Sequence, residues 1–396
     1  MKKTLCLVGA ALLLMLGACE RTTDLLPQDE AQSFVKTTIG DVIPGQYVVL
    51  LKEGTTSVKS AGLNYPEAQI RMLSETQKIL NASGIKNREP LQVYSASTEG
   101  FAVRLSDDEV TSLRRNTAVL GVWPDRMFVL AKPAPAPTPL PAEVTPPGIT
   151  RVGGGTNYTG TKKVYIIDTG IDLDHPDLNV DGSLGKTFVT RTTTPDDDNG
   201  HGTHCAGIVA AIDNTVGVVG VAAGAKVIPV KVLDKRGSGA MSVIIAGVDY
   251  VTANGLAGDA VNMSLGGAAY EPLDLKVVAM GAKGLLVALA AGNESDNANN
   301  HSPARANGVN IYTISACDVN DKWASFSNYG NPPIDYCAPG VSILSTYKGG
   351  LLATMSGTSM AAPHACGVLL VTGGNPKTNG YVAGDPDGNP DPIIHN

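Results

Sequence analysis

The stretch VYIIDTGID, residues 164–172, decides how the chain is read. Val164 to Ile167 form an apolar run with no polar alternation, so a strand here is buried on both faces. That is the habit of a parallel sheet covered by helices on each side. The run stops on a carboxylate, Asp168. In open parallel sheets the reacting groups gather at the carboxyl ends of strands, which makes Asp168 the first candidate for chemistry.

The pattern recurs. AKVIPVKVL (225–233), AVNMSL (260–265), GLLVALAA (284–291) and NIYTISA (310–316) are further apolar runs of strand length. Between and after them lie the helix candidates HGTHCAGIVAAI (201–212), MSVIIAGVDYVTA (241–253), LDLKVVAMGAK (273–283) and TSMAAPHACGVLLV (358–371). This alternation predicts an α/β domain over 145–396, a doubly wound, mostly parallel sheet with helices on both faces. The end of the chain, GGNPKTNGYVAGDPDGNPDPIIHN, carries no helix signal. Either the core is less covered there or the tail adds strands.

Upstream the period changes. QYVVLLK (46–52), LQVYSA (91–96), GFAVRLS (100–106) and VLGVWPDRMFVL (119–130) read as strands. EAQIRMLSETQKIL (67–80) reads as a helix with Ile70, Leu73, Gln77 and Leu80 on its inner face, and Ser106 with Glu109 forms a capping box opening a second helix. Strand–helix–strand–strand–helix–strand over 43–130 is a small α+β, ferredoxin-like domain. Residues 131–144 are rich in alternating prolines, extended, and read as an exposed linker.

Lys2 and Lys3 precede an apolar run of signal-peptide length, over 1–18. Leu16, Gly17 and Ala18 before Cys19 form a lipobox-like sequence, and an ordinary signal peptide fits the same run. Residues 19–42 read as a tether. Either way the protein is exported from a bacterial cell, secreted or lipid-anchored through Cys19. Export permits disulfides, so Cys205, Cys317, Cys337 and Cys366 are either paired, in one of three full pairings, or buried thiols. The net charge of −7 gives no basic footprint, so no nucleic-acid partner is expected.

His201 and His204 stand at and just inside a helix start. Gly202 occupies the place where a zinc protease carries a glutamate after its first histidine, so neither needs a metal. An imidazole near a helix N-terminus is biased toward its neutral, proton-accepting form. Cys205, Ile208, Val209 and Ile212 form the helix's core stripe. Ser359, just past Gly357 at another helix start, fits either an N-cap or a nucleophile whose own N–H stabilises an oxyanion. Asn293, at a strand end, can donate an amide toward the same point. The DTG of 168–170 also occurs in aspartic proteases, whose chemistry needs two such carboxylates. No second one exists here.

Together the stretches change the reading. IIDTGID, HGTHCAG, NMSLGG, AAGN and SGTSMAAPH, in that order over about 145–371, resemble the subtilisin-like serine proteases. The order acid, histidine, serine is that family's. VLDKRGSGAMSVIIAGVDYV and the cysteine of HGTHCAG look most like the proteinase K branch. The resemblance implies Ser359 as nucleophile, His201 as general base, Asp168 as its orienter and Asn293 in the oxyanion hole. It implies a substrate edge at Gly237, Ser238 and Gly239, a pocket rim at Ser264, Leu265 and Gly266, and broad specificity with a preference for apolar or aromatic residues before the cut. YVVLLK and GFAVRLS resemble the subtilisin propeptide, implying an intramolecular inhibitor and self-cleavage between Ala131 and Ala142. Catalysis then needs no cofactor. A structural calcium ion on the Asp335 carboxylate and the Val309 and Ile311 carbonyls is also implied. The partners are protein substrates and the chain's own propeptide, with a membrane reached only through a lipid on Cys19, and the protein is expected to be a monomer.

Overall fold

The computed structural model describes residues 40–59, 61–130 and 136–396. The signal segment, Cys19, most of the tether and residues 131–135 lie outside the described residues. No helix among the described residues is long and apolar enough to cross a membrane.

The first domain contains β1 (Val42–Leu51), α1 (Tyr65–Ala82), β2 (Pro90–Tyr94), β3 (Gly100–Arg104), α2 (Asp107–Arg114) and β4 (Val119–Val129). Its antiparallel strands lie in the order β4-β1-β3-β2, the ferredoxin-like arrangement expected. The capping box at Ser106 and Glu109 is present, and Asn64 with Glu67 makes a second one at the start of α1. The inner face of α1 is a correction. Ile70 is 72% exposed and Leu73 44% exposed, while Ala68, Met72, Thr76, Ile79 and Leu80 are buried. Both sets follow helical spacing. The sheet fits the one with small Ala68 and Thr76, where the helix can approach closely, and periodicity alone does not separate them.

The second domain is built on β5 (Val164–Asp168), β6 (Lys186–Thr187), α3 (His201–Ala210), β7 (Val227–Lys231), β8 (Ser238–Ala240), α4 (Met241–Asn254), β9 (Ala260–Met263), α5 (Glu271–Ala282), β10 (Leu286–Ala290), β11 (Ile311–Cys317) and β12 (Ile334–Pro339). After these come the hairpin β13 (Ile343–Tyr347) and β14 (Leu351–Met355), then α6 (Thr358–Thr372), β15 (Lys377–Tyr381) and β16 (Pro392–His395). The sheet runs β15-β16-β12-β11-β10-β9-β5-β7-β6. Every pairing is parallel except β15 with β16. The tail therefore adds strands. Helices α3 and α6 pack in one core and α4 and α5 in another, which accounts for strands buried on both faces. Cys205, Ile208 and Val209 face the core as expected, Ile212 lies beyond the end of α3, and every other residue of the helix is buried as well. A helix enclosed between a sheet and a hairpin has no solvent face.

The two domains share hydrogen bonds. The last strand of the first domain, β4, pairs antiparallel with β8: Val129 lies opposite Ser238, Phe128 opposite Gly239 and Met127 opposite Ala240. The Leu130 N–H then donates to the Gly237 carbonyl at 2.8 Å.

Candidate active site

Asp168 ends β5 with no exposure to solvent. His201 opens α3, and the turn before it requires Gly200, whose φ is +114° and where a Cβ would meet the Tyr347 ring at 2.3 Å. This delivers the His201 Nδ1 to both Asp168 oxygens, at 2.8 and 2.9 Å. A carboxylate only accepts, so Nδ1 carries the proton and Nε2 is left for the cleft that His201 lines. Burial pulls the ring's pKa down. The Asp168 charge and hydrogen bond outweigh that and hold His201 well above its ordinary value.

Ser359 is the second residue of α6 and lines the same cleft as His201. Its hydroxyl donates to the Ser264 carbonyl at 3.2 Å and not to the His201 ring. The serine–histidine contact implied by the sequence is thus not made in this state, because the single hydroxyl proton is engaged elsewhere. Such contacts are often loose until substrate is bound. The Ser359 carbonyl is braced by the Ser264 hydroxyl at 2.8 Å and the Cys205 thiol at 3.4 Å, and Asn262 Nδ2 steadies the Ser264 hydroxyl at 2.9 Å. This brace went unread in the sequence. The signal for it was Cys205 four residues after His201, on the same helical face. Burial pushes the Cys205 thiol up, so it stays protonated and serves as a donor.

Asn293 is oriented by its own acceptor. Its Oδ1 takes the Thr358 N–H at 2.8 Å and the Thr358 hydroxyl at 3.1 Å. The amide NH₂ is left on the cleft side, alongside the start of α6.

His204 lies on the other side of α3. Its Nε2 meets the carbonyls of Ile343 and Ala353, at 3.2 and 3.0 Å, and burial pushes it down to about 3. It is a neutral donor that ties α3 to the β13–β14 hairpin. Cys205, Cys317, Cys337 and Cys366 are all buried free thiols.

Ser264, Leu265 and Gly266 line the cleft, and so do Phe128, Val129 and Leu130 of the propeptide. At Gly237 (φ +75°) a Cβ would come within 2.9 Å of Leu130, so glycine lets the two backbones meet. On the other side Thr138 exchanges hydrogen bonds with Leu352, both at 2.8 Å, and the Gly217 N–H donates to the Pro141 carbonyl at 3.0 Å. The described part of the linker is mostly exposed, and these backbone hydrogen bonds tie it to the second domain.

Asp335, on β12, accepts the Thr313 N–H at 2.9 Å. Burial pushes it up to about 6, and no cationic side chain offsets this. Val309 is exposed, and Ile311 opens β11, two residues before Thr313. A buried carboxylate lacking a counter-charge is the kind of oxygen ligand calcium takes.

Fold and cleft define a subtilisin-like serine protease, a hydrolase, carried behind an inhibitor-type propeptide. The sequence profile of the Subtilase family matches residues 160–380 and that of Peptidase inhibitor I9 matches residues 46–131. The chain is 35% identical to the "Extracellular serine proteinase" of Thermus sp. (strain Rt41A), over 91% of this chain and 87% of that one. It is 34% identical to "Proteinase R" of Parengyodontium album, over 89% of this chain and 83% of that one. The crystal structure of a cold adapted subtilisin-like serine proteinase is similar, with a TM-score of 0.54, 33% identity, and coverage of 61% of this chain and 90% of that one. The chain belongs to the subtilase family. The family's chemistry needs no cofactor.

Proposed function

We propose that the protein is an exported endopeptidase that matures by cutting its own chain and hydrolyses peptide bonds through an acyl-enzyme on Ser359. The Ser359 hydroxyl leaves the Ser264 carbonyl, gives its proton to His201 Nε2 as its oxygen attacks the scissile carbonyl, and His201 returns that proton to the leaving amine. Asp168 holds the ring in the required tautomer and stabilises its cation. The Asn293 amide and the Ser359 N–H, one of the unpaired donors at the start of α6, receive the oxyanion. The observation that carries this reading is the His201 Nδ1 held by both Asp168 oxygens, which leaves Nε2 to a cleft lined by Ser359 and by the chain's own β4.

The propeptide lies as a substrate would, adding a strand along Gly237, Ser238 and Gly239. With Leu130 held on one side of the cleft and Thr138 on the other, the bond to be cut lies between residues 131 and 138. Glycine at 266 and apolar Leu265 and Ala290 leave a pocket for an apolar or aromatic residue before the cut. Asp335, Val309 and Ile311 would hold a calcium ion that ties β12 to the start of β11, with no part in the chemistry. Export is supported by the signal-like first residues and by a relative named as extracellular. A lipid on Cys19 would keep the product on a membrane, and the enzyme acts as a monomer.

A second reading, a peptide-holding module locked to its propeptide, draws on the Ser359 hydroxyl being turned to Ser264. Comparison of the full chain with Ser359→Ala decides between them. The unmodified chain should cut itself within 131–138 and then digest casein. Ser359→Ala should stay intact and lose on the order of 10⁶ in turnover. An unmodified chain that remains whole and inert would establish the locked module.

A further inference from the structure

The tail after α6 is held weakly by apolar contacts. β15 is exposed along its whole length. Only Val382 and Ile393 join the small cluster around Cys317 and Cys337, and Ile394 reaches the main core. A segment with so little core is commonly stapled by a disulfide or a metal, and the cysteines here are free.

Between β15 and β16 runs GDPDGNPD, residues 384–391. Asp391 is 1% exposed. Its Oδ2 accepts the Ser315 hydroxyl, while its Oδ1 has no hydrogen-bond partner. Asn331, from the loop ahead of β12, is a neighbour of Asp391. Its Nδ2 donates to the Asn389 carbonyl at 3.3 Å, and its Oδ1 is also buried and without a partner. Two acceptor oxygens from distant parts of the chain are thus shut in beside one loop with nothing to accept from. Asp385 and Asp387 add negative charge to the same loop and interact with each other and with Asp391. Among the described residues no ion pair involves any of the three.

Every unsatisfied atom here is an oxygen, and the local charge is negative. Anions and apolar ligands are excluded, and although the Cys337 thiol lies near Asp391, among the described residues no thiol gathers with two carboxylates here as a soft-metal site would need. Mixed carboxylate, amide and main-chain oxygens on an irregular loop suit calcium, which takes 6–8 oxygens in flexible geometry, water included. The three carboxylates do not converge as a triple within 4.8 Å. We propose that Asp391, Asp385, the Asn331 side-chain oxygen and main-chain carbonyls of residues 384–391 bind a calcium ion that pins the tail to β11 and β12. This site is separate from Asp335.

The test uses the full chain carrying Ser359→Ala, so that self-digestion does not confuse it. Binding is read without turnover, so failure of the proteolytic reading would leave the result interpretable. Chelator-treated protein is titrated with calcium chloride by calorimetry, and trypsin cleavage after the exposed Lys377 is followed by mass spectrometry with and without calcium. Calcium should slow that cut at least tenfold. Asp385→Asn, at a partly exposed position, should abolish the protection and remove one calorimetric equivalent, and Asp391→Asn should do the same. Asp335→Asn should leave the protection in place. Should Asp391→Asn fail to fold, Asp385→Asn decides alone. Protection and stoichiometry unchanged in Asp385→Asn, or a tail cut equally fast with and without calcium, would overturn the site and assign water to the buried oxygens.

Discussion

Two buried pairs of opposite charge behave differently. In the cleft, Asp168 meets His201 at 2.8 Å, and the carboxylate prevails over burial, so the ring's pKa is raised. At the propeptide interface, Asp249 of α4 lies 3.5 Å from Lys276 of α5, and burial prevails, pushing the lysine down to about 8. The reason is the company Asp249 keeps. Its oxygens already accept the N–H groups of Ser95, Ala96 and Ser97 and the Ser97 hydroxyl, at 2.8–3.1 Å. Lys276 donates a hydrogen bond to the Thr98 carbonyl and sits 4.4 Å over the Tyr94 ring. The first pair is complete within the catalytic domain. The second is solvated by the propeptide and would lose those partners on its removal. The lesson is that the cleft's electrostatics are permanent, while the grip on the inhibitor is conditional.

The comparison can be broken most forcefully at the first pair. Asp168→Asn should lower kcat by on the order of 10⁴, because the ring loses its tautomer and the partner of its cation, with little change in how firmly the propeptide is held. Hydrolysis of a peptide by enzyme freed of its propeptide with an added protease measures the one, and retention of the nicked propeptide on gel filtration measures the other; where the triad is intact, the lag before activity appears measures that hold as well. A modest loss, under tenfold, would put the pair outside the chemistry. Asp249→Asn should do the converse. Weakening charge-assisted hydrogen bonds beside a buried lysine loosens the propeptide, so the lag should shorten by on the order of tenfold while kcat of the freed enzyme is unchanged. An unaltered lag would make the interface pair incidental.

The smallest effect sharpens the contrast through pH. Only the neutral His201 ring can accept the serine proton, so activity falls as pH drops through its pKa. Asp168 raises that pKa, so the acid limb of the kcat/KM profile should lie above the ordinary histidine value of about 6.5. The residual activity of Asp168→Asn should show the limb at lower pH. A limb at or below the ordinary value in the unmodified enzyme would mean that burial wins in the cleft as it does at Lys276.

Much of this was legible because it was local. Apolar runs without alternation at 164–167 and 286–290 named a doubly covered parallel sheet, and Ser106 with Glu109 marked a helix start. The catalytic candidates stood at strand and helix ends, which sequence punctuation reveals. Less local features escaped. Choosing Ile70 and Leu73 over Met72 and Ile79 as the inner face of α1 failed because two registers share one period. The Cys205–Ser264 brace under Ser359 depends on residues brought together from three elements.

The sequence by itself determined the order of strands and helices, the acid, imidazole, alcohol and amide placed at their ends, and a propeptide of matching topology. Such features are set by periodicity, caps and residue chemistry within a few positions of the chain. Only the tertiary structure decided which way the Ser359 hydroxyl turns, that β4 lies in the cleft, and that Asp391 and Asn331 close oxygens in beside one loop. Those outcomes depend on distance and desolvation between residues far apart in the chain, which no local pattern encodes.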